Sequence, residues 1–309
     1  MDLKDIIQVN ISSLLMSVNE CEAVFISIYS VFSTITGLAG NLLVLLATYE
    51  YQSFDVDLVT VFFIRHLSLS DIFYIVTSVV PWAITSFFRA WVLGKVICYL
   101  VGMAYVFCSV ANMGFIVTVS AHRLGRCIFP LRLSWMTQKK ALVLVSFVWL
   151  IALTESIIIG INGSPIVYEP TVTFCFPSPI LHIGSVMDFT KDIYVSLIVT
   201  GFVLMFVLNL LILVQARRST ERLSLVAIRT VCLMCGTFTI GYIATLIKIV
   251  LTHFYPGETF VILQRLARYL FVLTTFCNPL IYTMTNNKFK WFLIKKVRSI
   301  CHMRQINLH

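Results

Sequence analysis

Seven long apolar stretches dominate this sequence, and each is long enough to cross a membrane as a helix. A helix needs about 20 apolar residues to span the hydrocarbon layer, whereas a transmembrane strand needs only about 10. Helices also satisfy their own backbone hydrogen-bonding groups, as lipid requires. We therefore predict an all-α membrane protein, a bundle of seven transmembrane helices. The predicted spans are residues 24–49, 58–82, 95–126, 141–162, 193–216, 225–252 and 262–285.

The composition agrees with a lipid environment for most of the chain. Of the 309 residues, 59% are hydrophobic and 12% are charged, whereas a soluble protein has roughly 25% charged residues. So few charged side chains cannot cover the surface of a soluble fold, which excludes the soluble classes. The net charge of +9 would suggest a nucleic acid partner in a soluble protein, but here it reflects where the bases lie, and no nucleic acid is expected.

Most of the basic residues are on one side of the predicted bundle. Fifteen of the 23 lysines and arginines lie in residues 123–140, 217–229 and 288–304. Because basic connections stay in the cytoplasm, we predict that this side is cytoplasmic and that the N-terminus is outside the plasma membrane. Two Asn-X-Ser triplets, beginning at Asn10 and Asn162, fall on the predicted outer side and are candidate glycosylation sites.

The pattern divides the chain into three parts. Residues 1–23 form a predicted extracellular tail, residues 24–285 the seven-helix domain, and residues 286–309 a short cytoplasmic segment. In the last part, the sequence KFKWFLIKKVRS alternates apolar and basic residues at helical spacing, which predicts an amphipathic eighth helix lying on anionic headgroups. Cys301 beyond it is either a palmitoylation site or a free thiol.

Two cysteines lie on the predicted outer side of the membrane, where a disulfide bond can form. Cys98 is at the start of the third span and Cys175 is in the long loop after the fourth. A disulfide bond between them would hold this loop over the bundle. Cys21 is on the same oxidising side but has no evident partner. Cys232 and Cys235 form a close pair in the sixth span, but no further ligands accompany them, which argues against a metal site.

Four polar side chains lie in the middle of predicted spans, where polar groups are costly and usually have a role. They are Asn41, Asp71, Asn112 and Asn278. If the helices form a bundle, these groups lie at similar depth and can meet. A carboxylate surrounded by amide oxygens suits a small cation such as sodium. A hydrogen-bonded network that only joins helices is the alternative, and both interpretations stay open.

Short motifs recur along the chain in a fixed order. They are Gly40-Asn41, LSLSD ending at Asp71, WVLG at Trp91–Gly94, Cys98, HRL at His122–Leu124, Pro130, Trp149, Cys175, NPLIY at Asn278–Tyr282, and Lys288-Phe289. The ordered set is specific, and with it the chain resembles the rhodopsin-like (class A) G-protein-coupled receptors over essentially its whole length. The resemblance implies a receptor for an extracellular ligand that signals to heterotrimeric G proteins when its sixth helix moves outward.

The same resemblance assigns roles to residues of the inner half. Arg123 would contact the terminal helix of the G protein, and Leu131 would be the apolar contact in the second inner loop. Tyr282 would swing inward to support Arg123, with Pro279 breaking the seventh helix locally. Phe238 would occupy the switch position in the core of the sixth helix. Asp71, Asn112 and Asn278 would form a network that binds sodium.

Five positions depart from the family pattern, and two of them are in the fifth helix, where Leu204 and Ile212 replace a proline and a tyrosine. His122 stands where the family has an acid that pairs with Arg123. Tyr242 stands in the place of the usual tryptophan, and Ala244 in the place of the usual proline of the sixth helix. A neutral histidine restrains an arginine less than a carboxylate does, and less pre-built kinking changes the hinge. We therefore expect raised ligand-independent signalling.

The outer half has residues that suit a ligand pocket. Tyr105 stands where amine receptors carry an aspartate, which disfavours a monoamine, and no lysine between residues 267 and 287 can form a retinal Schiff base. A peptide or a lipid-like acid would suit the basic and aromatic residues. The alternative, which we expect for helix-end bases, is that they extend to headgroups or pair with Glu155, Asp188, Asp192 or Glu258, although Arg268 is expected to face inward. The pocket candidates are Trp82, Tyr105, Ser109, Lys248, Arg268 and Tyr269.

Other functional classes fit the sequence less well than a receptor does. A transporter or channel would show inverted repeats or broken helices, and none is visible. A membrane enzyme would need a catalytic cluster, whereas the spans offer the carboxylate of Asp71 alone. A receptor-shaped decoy or partner subunit stays open, because the altered HRL and sixth-helix positions allow it. We therefore predict a receptor that is not an enzyme and needs no cofactor, with sodium at Asp71 as one interpretation.

Overall fold

Seven helices and one β-hairpin form the described part of a computed structural model of the chain. The structure describes residues 18–50, 58–129, 136–162, 166–177, 185–218, 233, 236–248, 250–251, 261–285, 290–291 and 294–295. The helices are α1 (Glu20–Glu50), α2 (Leu58–Phe88), α3 (Gly94–Ile128), α4 (Gln138–Asn162), α5 (Ser185–Arg218), α6 (236–248) and α7 (Val261–Thr285). The hairpin consists of β1 (Ile166–Glu169) and β2 (Phe174–Pro177).

The predicted bundle of seven helices is confirmed, with differences at the helix ends. By length and composition, the described residues contain five helices apolar enough to cross a membrane, which are α1 to α5. The second span was predicted to end at residue 82, whereas α2 continues to Phe88. The sixth span was predicted over residues 225–252, and its described helix covers residues 236–248. The protein is therefore a multi-pass membrane protein.

Several predicted features lie outside the described residues. They are Asn10, Pro130, Leu131, Cys232, Cys235 and Cys301, most of residues 286–309, and the side chains of Asn162 and Tyr282.

Helix α3 is at the centre of the bundle. It packs against α2, α4, α5 and both strands. Between Lys95 and His122 it carries no charged side chain, so most of its surface can be buried against neighbours. A Cβ atom at Gly102 would clash with a methyl carbon of Ile166. Glycine at this position therefore lets the hairpin approach the outer end of α3.

A disulfide bond fixes the hairpin to α3. Cys98 and Cys175 are bonded, with their Cα atoms 5.4 Å apart, and this prediction is confirmed. Cys175 pairs with Tyr168 in the antiparallel register of the two strands. Burial, together with the Glu169 carboxylate beside it, raises the pKa of Tyr168 to about 12, so its hydroxyl stays neutral. Cys21 is free and exposed.

Replacing Cys175 by serine is expected to destabilise the outer half of the protein. A disulfide of this kind typically contributes about 2–4 kcal/mol, and here its loss also releases the hairpin from α3. Thermal unfolding of the purified chain should show a lower midpoint for Cys175→Ser. Cys21→Ser is the matched control, because it removes a free cysteine on the same side of the bundle. Equal midpoints for the two variants would contradict the expectation.

A π-helical turn interrupts the α-helical hydrogen bonding of α2 near its outer end. The turn covers Ile75–Val79, and Pro81 follows at the start of the last α-helical segment. A π turn adds a residue to the helix, and proline removes a backbone donor, so both rotate the residues that follow. The last segment buries Trp82, Thr85 and Ser86. This places three polar-tipped side chains under the hairpin.

Helix α7 stays continuous through Pro279, contrary to the predicted local break. It is α-helical over Val261–Thr285. Proline cannot donate to the carbonyl of Thr275 four residues earlier, but Asn41 Nδ2 donates to that oxygen at 2.9 Å. A Cβ atom at Gly40 would lie 2.8 Å from Cβ of Pro279. The Gly40-Asn41 pair therefore brings α1 close to the proline and replaces its missing hydrogen bond.

Candidate ligand site and polar core

Arg268 of α7 is buried in the outer half of the bundle, where only 7% of the residue is exposed. Its guanidinium carbon lies 3.2 Å from the ring centre of Phe174, 5.1 Å from that of Trp82 and 5.5 Å from that of Tyr105. Aromatic faces attract a cation, and the attraction increases when water is removed. Arg268 therefore faces the interior, the direction expected for it, and does not extend to lipid headgroups as helix-end bases usually do.

The charge of Arg268 is only partly compensated. Its Nη2 donates to the carbonyl oxygen of Ser78 at 3.4 Å, and its Nε has no acceptor among the described residues. Two other arginines of the outer half are paired with acids, Arg89 with Glu20 and Arg265 with Glu22. A buried charge without a counter-charge is destabilised by desolvation. A carboxylate or phosphate would supply the acceptors that a guanidinium binds through two parallel hydrogen bonds.

The loop between β1 and β2 covers this site from outside. Trp82 Nε1 donates to Oγ1 of Thr173 at 3.1 Å, and Thr85 Oγ1 donates to the Thr173 carbonyl at 2.7 Å. Ser86 Oγ lies 3.0 Å from Thr173 Oγ1. Thr173 adopts a left-handed conformation, with φ of 52°, which is uncommon for a β-branched residue. These bonds to α2 hold the turn so that Phe174, the next residue, points onto Arg268.

A second arginine of α7 forms the outer rim of the site. Arg265 Nη1 lies 2.7 Å from Glu22 Oε2 at the start of α1, and Arg265 Nε donates to the carbonyl oxygen of Thr171 at 2.5 Å. The Tyr269 hydroxyl donates to the other oxygen of Glu22 at 3.4 Å. Arg265 therefore pairs with an acid, but this acid is Glu22, which is not one of the four partners expected from the sequence. Tyr269 faces α1 as much as it faces the site.

The remaining pocket candidates lie at different depths. Lys248 of α6 has its Nζ 5.7 Å from the ring centre of Phe176 on β2. Ser109 is deeper, with its Oγ 3.0 Å from the hydroxyl of Tyr194 on α5. The Tyr242 hydroxyl donates to the Ser109 carbonyl at 3.0 Å. Ser109 therefore belongs to the floor that joins α3, α5 and α6.

A series of ring contacts leads from Arg268 to the middle of the bundle. The rings of Tyr105 and Phe271 are 6.2 Å apart, those of Phe271 and Tyr242 5.2 Å, and those of Tyr242 and Phe238 6.2 Å. Phe271 also contacts Tyr74 at 5.0 Å. Sequence reasoning missed Phe271 and Phe174. Phe271 could have been found, because it follows Arg268 by three residues and so lies on the same face of α7.

Three of the four mid-span polar residues meet in the core. Asn112 Nδ2 donates to Oδ1 of Asp71 at 3.3 Å, and Asn278 Nδ2 donates to Oδ2 at 2.9 Å. All three are fully or almost fully buried. Asn41, predicted to join them, instead bonds to backbone carbonyl oxygens of α1 and α7.

The polar core retains unused acceptors. The Oδ1 atoms of Asn112 and Asn278 have no hydrogen-bond partner among the described residues, and both amides reach the same buried carboxylate. Oxygen donors around one negative charge are the ligand set of a hard cation. The types of donor present, a carboxylate and two amides, are therefore those that a sodium ion takes. In the described part of the chain, no three or more His, Cys, Asp or Glu side chains lie close enough together to hold a metal ion.

At the inner end, the side chain of His122, which departs from the family pattern, faces α2. His122 is 2% exposed, and its ring lies edge-on to that of Phe63 at 5.6 Å. Arg123, the next residue, is half-buried. Trp149 of α4 donates its Nε1 hydrogen to Nδ1 of His66 at 3.2 Å. A histidine–aromatic layer thus joins α2, α3 and α4 beneath the polar core.

The comparisons with known proteins agree with this architecture. The model of a family described as 7 transmembrane receptor (rhodopsin family) matches residues 40–282. Similar proteins include the alpha-1A adrenergic receptor of Oryzias latipes, 28% identical over 141 residues, which cover 45% of this chain and 29% of the relative. Lysophosphatidic acid receptor 4 of Mus musculus is 26% identical over 152 residues, which cover 48% and 40%. Chemokine XC receptor 1 of Homo sapiens is 30% identical over 122 residues, which cover 39% and 35%.

A solved structure matches over more of the chain. The crystal structure of squid rhodopsin has a TM-score of 0.74 and 17% sequence identity, and the match covers 92% of this chain and 87% of that one. At this identity the likeness concerns the fold alone. The matches to the curated relatives span less than half the length of each relative.

Proposed function

Because the chain belongs to the rhodopsin family of seven-transmembrane receptors, we propose that it binds an extracellular ligand at Arg268 and signals to a heterotrimeric G protein. Its curated relatives are receptors, not enzymes. In the proposed orientation, the N-terminus and the hairpin are outside the plasma membrane. The base-rich connections face the cytoplasm, where the G protein would bind.

One observation carries the proposal. The ring contacts from Arg268 through Tyr105, Phe271 and Tyr242 to Phe238 join the outer site to α6. A ligand that changes the position of these rings therefore changes the packing of α6. Packed cores have discrete arrangements, so a small outer change can favour a second arrangement of the helix. In that second arrangement α6 is moved outward at its inner end and Arg123 meets the G protein, with Tyr282 and Leu131 in the supporting roles described above.

The proposed ligand is an anion with apolar bulk. Arg268 offers a forked donor, and the rings of Phe174, Trp82 and Tyr105 offer the apolar surroundings. Such a ligand meets Phe174 first, and its acid group takes the place of that ring against the guanidinium. Lysophosphatidic acid, after which one relative is named, is of this chemical class. A peptide with a carboxylate is the other member of the class that we propose. Tyr105 offers no acid for a monoamine.

The experiment that tests signalling is nucleotide exchange on a panel of purified G proteins. The full chain is reconstituted in a membrane, with and without a library of lipid acids and peptides. Exchange on at least one G protein above the level of empty membranes supports the proposal. Exchange at the level of empty membranes under every condition contradicts it and favours a receptor-shaped protein that does not signal.

We propose further that Asp71, Asn112 and Asn278 hold a sodium ion that stabilises the closed state. The ion would neutralise the buried carboxylate of Asp71. Asn112 and Asn278 would turn their amides from donating to that carboxylate to coordinating the ion through the oxygens that lack partners in the described residues. A cation bound in one state shifts the equilibrium by its differential affinity.

Replacing sodium by choline is expected to raise basal exchange about fivefold, the low end of typical allosteric couplings. The sodium effect should vanish in Asp71→Asn, because the amide lacks the negative charge. Ser70→Ala is the matched control, since Ser70 is the buried neighbour of Asp71 in the chain and its hydroxyl has no hydrogen-bond partner among the described residues. Equal sodium dependence in the wild type and in Asp71→Asn would contradict the sodium site. The polar residues would then serve only to join the helices by hydrogen bonds.

A further inference from the structure

Three buried polar atoms without a hydrogen-bond partner in the described part of the chain lie where α2 faces α7. They are Nε of Arg268 and the hydroxyl oxygens of Tyr74 and Ser78. Tyr74 and Ser78 are fully buried, and only 7% of Arg268 is exposed. Buried polar groups in folded proteins almost always have a partner, so three exceptions in one place point to a bound ion or water.

Two contacts between α2 and α7 bring these atoms to the same level of the bundle. Nη2 of Arg268 donates to the carbonyl oxygen of Ser78 at 3.4 Å, and Nε belongs to the same planar group. One turn deeper, the ring of Tyr74 lies edge-on to that of Phe271, with the ring centres 5.0 Å apart. Tyr74 precedes Ser78 by four residues and Phe271 follows Arg268 by three, so each pair lies on one face of its helix. The guanidinium and the two hydroxyls therefore border the same region between the helices.

The two hydroxyls are not used by the helix or by neighbouring side chains. Thr77, beside Ser78, donates its hydroxyl to the carbonyl oxygen of Phe73 four residues earlier at 2.7 Å, the usual arrangement for a hydroxyl in a helix. Ser78 makes no such bond in the described structure. The hydroxyls of other tyrosines of the outer half are bonded, as that of Tyr194 is to Ser109 at 3.0 Å. Tyr74 and Ser78 therefore each have an O–H that can donate to a group between α2 and α7.

No carboxylate of the described residues forms an ion pair with Arg268. Asp71 of α2 bonds to Asn278, which follows Arg268 by ten residues and so lies about 15 Å further along α7. Glu22 is paired with Arg265. A water molecule would accept a hydrogen bond from Nε but would leave the buried charge uncompensated, which is costly. An anion accepts the bond and compensates the charge.

We propose that a chloride ion binds between α2 and α7, where it accepts hydrogen bonds from Nε of Arg268 and from the hydroxyls of Tyr74 and Ser78. Chloride requires only donors, and hydroxyl hydrogens rotate toward an acceptor. The rings of Phe174 and Tyr105 cover the guanidinium elsewhere, which favours a small anion over a large one. The inference goes beyond the proposed function, because chloride is bound by the unliganded chain and its binding does not depend on coupling to a G protein.

The test is thermal unfolding of the purified full chain as chloride replaces gluconate. Ionic strength and sodium concentration are held constant, so the proposed sodium site at Asp71 is unaffected. An ion that binds only the folded chain raises the unfolding midpoint with its concentration. Gluconate is too large for an enclosed site, so the midpoint of the wild type is expected to rise with chloride and to level off. The chloride concentration that gives half of this rise measures the affinity.

Tyr74→Phe and Ser78→Ala are each expected to raise that half-effect concentration at least about tenfold, the low end of the loss when a hydrogen bond to a charged group is removed. Tyr194→Phe is the matched control for the first variant, because its hydroxyl bonds to Ser109. Ser70→Ala is the control for the second, because Ser70 is a buried serine of α2 whose hydroxyl also has no partner in the described residues. It lies eight residues before Ser78, about 12 Å along the helix. Both controls should keep the chloride dependence of the wild type.

Two results would overturn the proposal. One is an equal midpoint of the wild type in chloride and in gluconate, which would mean that water satisfies the three groups. The other is an equal change in the test variants and their controls, which would mean that chloride acts elsewhere. A second measurement does not depend on variants: crystals grown in bromide should show anomalous scattering within hydrogen-bond distance of Nε of Arg268. Anomalous peaks confined to other parts of the protein would also overturn it.

Discussion

Replacing Arg268 by alanine is expected to lower the potency of an anionic agonist by at least about 30-fold. Removing one partner of a buried, hydrogen-bonded charge pair costs about 2–5 kcal/mol, and 2 kcal/mol corresponds to a factor of about 30. Arg268 is suited to this role because aromatic rings, and no carboxylate of the described residues, surround its guanidinium. The measurement is a concentration–response series with the anionic compounds that activate the wild-type chain.

Arg265→Ala is the matched control for this expectation. Arg265 is on the same helix and is paired with Glu22 at 2.7 Å, so its removal should change potency much less. Arg268→Lys should be intermediate, because lysine keeps the charge but loses the fork and the planar stacking. A large loss in Arg265→Ala with none in Arg268→Ala would contradict the proposed site.

The stability of the unliganded chain gives an independent result for the same position. Arg268→Met should unfold at a temperature no lower than the wild-type chain, because it replaces a buried, partly compensated charge with an apolar side chain of similar length. A much lower midpoint would mean that Arg268 acts mainly by holding the rings together.

Replacing His122 by aspartate is expected to lower ligand-independent signalling about fivefold. A carboxylate at this position can form an ion pair with Arg123, as the family resemblance implies, and such a pair contributes up to about 1 kcal/mol. If the pair exists only in the closed state, this free energy lowers the population of the open state by about that factor. The measurement is basal nucleotide exchange in membranes with equal amounts of each variant.

His122→Asn separates the charge from the change of shape. Asparagine is close in size to aspartate but carries no charge, so its basal exchange should stay nearer to that of the wild type. His122 is buried against Phe63, and both variants lose that ring contact equally. Equal, near-zero basal exchange in the wild type and in His122→Asp would contradict the expectation of raised basal activity.

The fold could be predicted because lipid imposes it on any chain of this composition. Long apolar runs between basic connections allow little except helices that cross the membrane. The ends of the helices were less predictable. The π turn at Ile75–Val79 has no clear sequence signal. It affects the direction of Trp82, and this direction matters only because the loop between β1 and β2 supplies Thr173 as the hydrogen-bond partner.

The candidate site was predicted in part. Its residue types were evident, since Arg268, Tyr105 and Trp82 all lie in outer halves of spans. Arg268 was expected to face inward, although bases near helix ends usually reach the headgroups, but the side chain that its guanidinium meets was not predicted. In the folded chain, Phe174 arrives on the hairpin to cover the guanidinium. That contact joins residues that are far apart in the chain, and no local pattern encodes it.

The ordered motifs, through their resemblance to a family, indicated a receptor. By itself, the chemistry of the sequence determined that this protein is a bundle of seven membrane-spanning helices, that one loop is held to α3 by a disulfide bond, and that a carboxylate lies at mid-membrane. Each follows from chemistry that acts on single residues or short segments: transfer to lipid, cysteine oxidation and the cost of a buried charge. Only the tertiary structure decided which polar groups meet. Asp71 contacts Asn112 and Asn278, while Asn41 compensates for Pro279. The physical reason is that these contacts depend on how far each helix is rotated about its axis, and rotation is set by packing among all its neighbours.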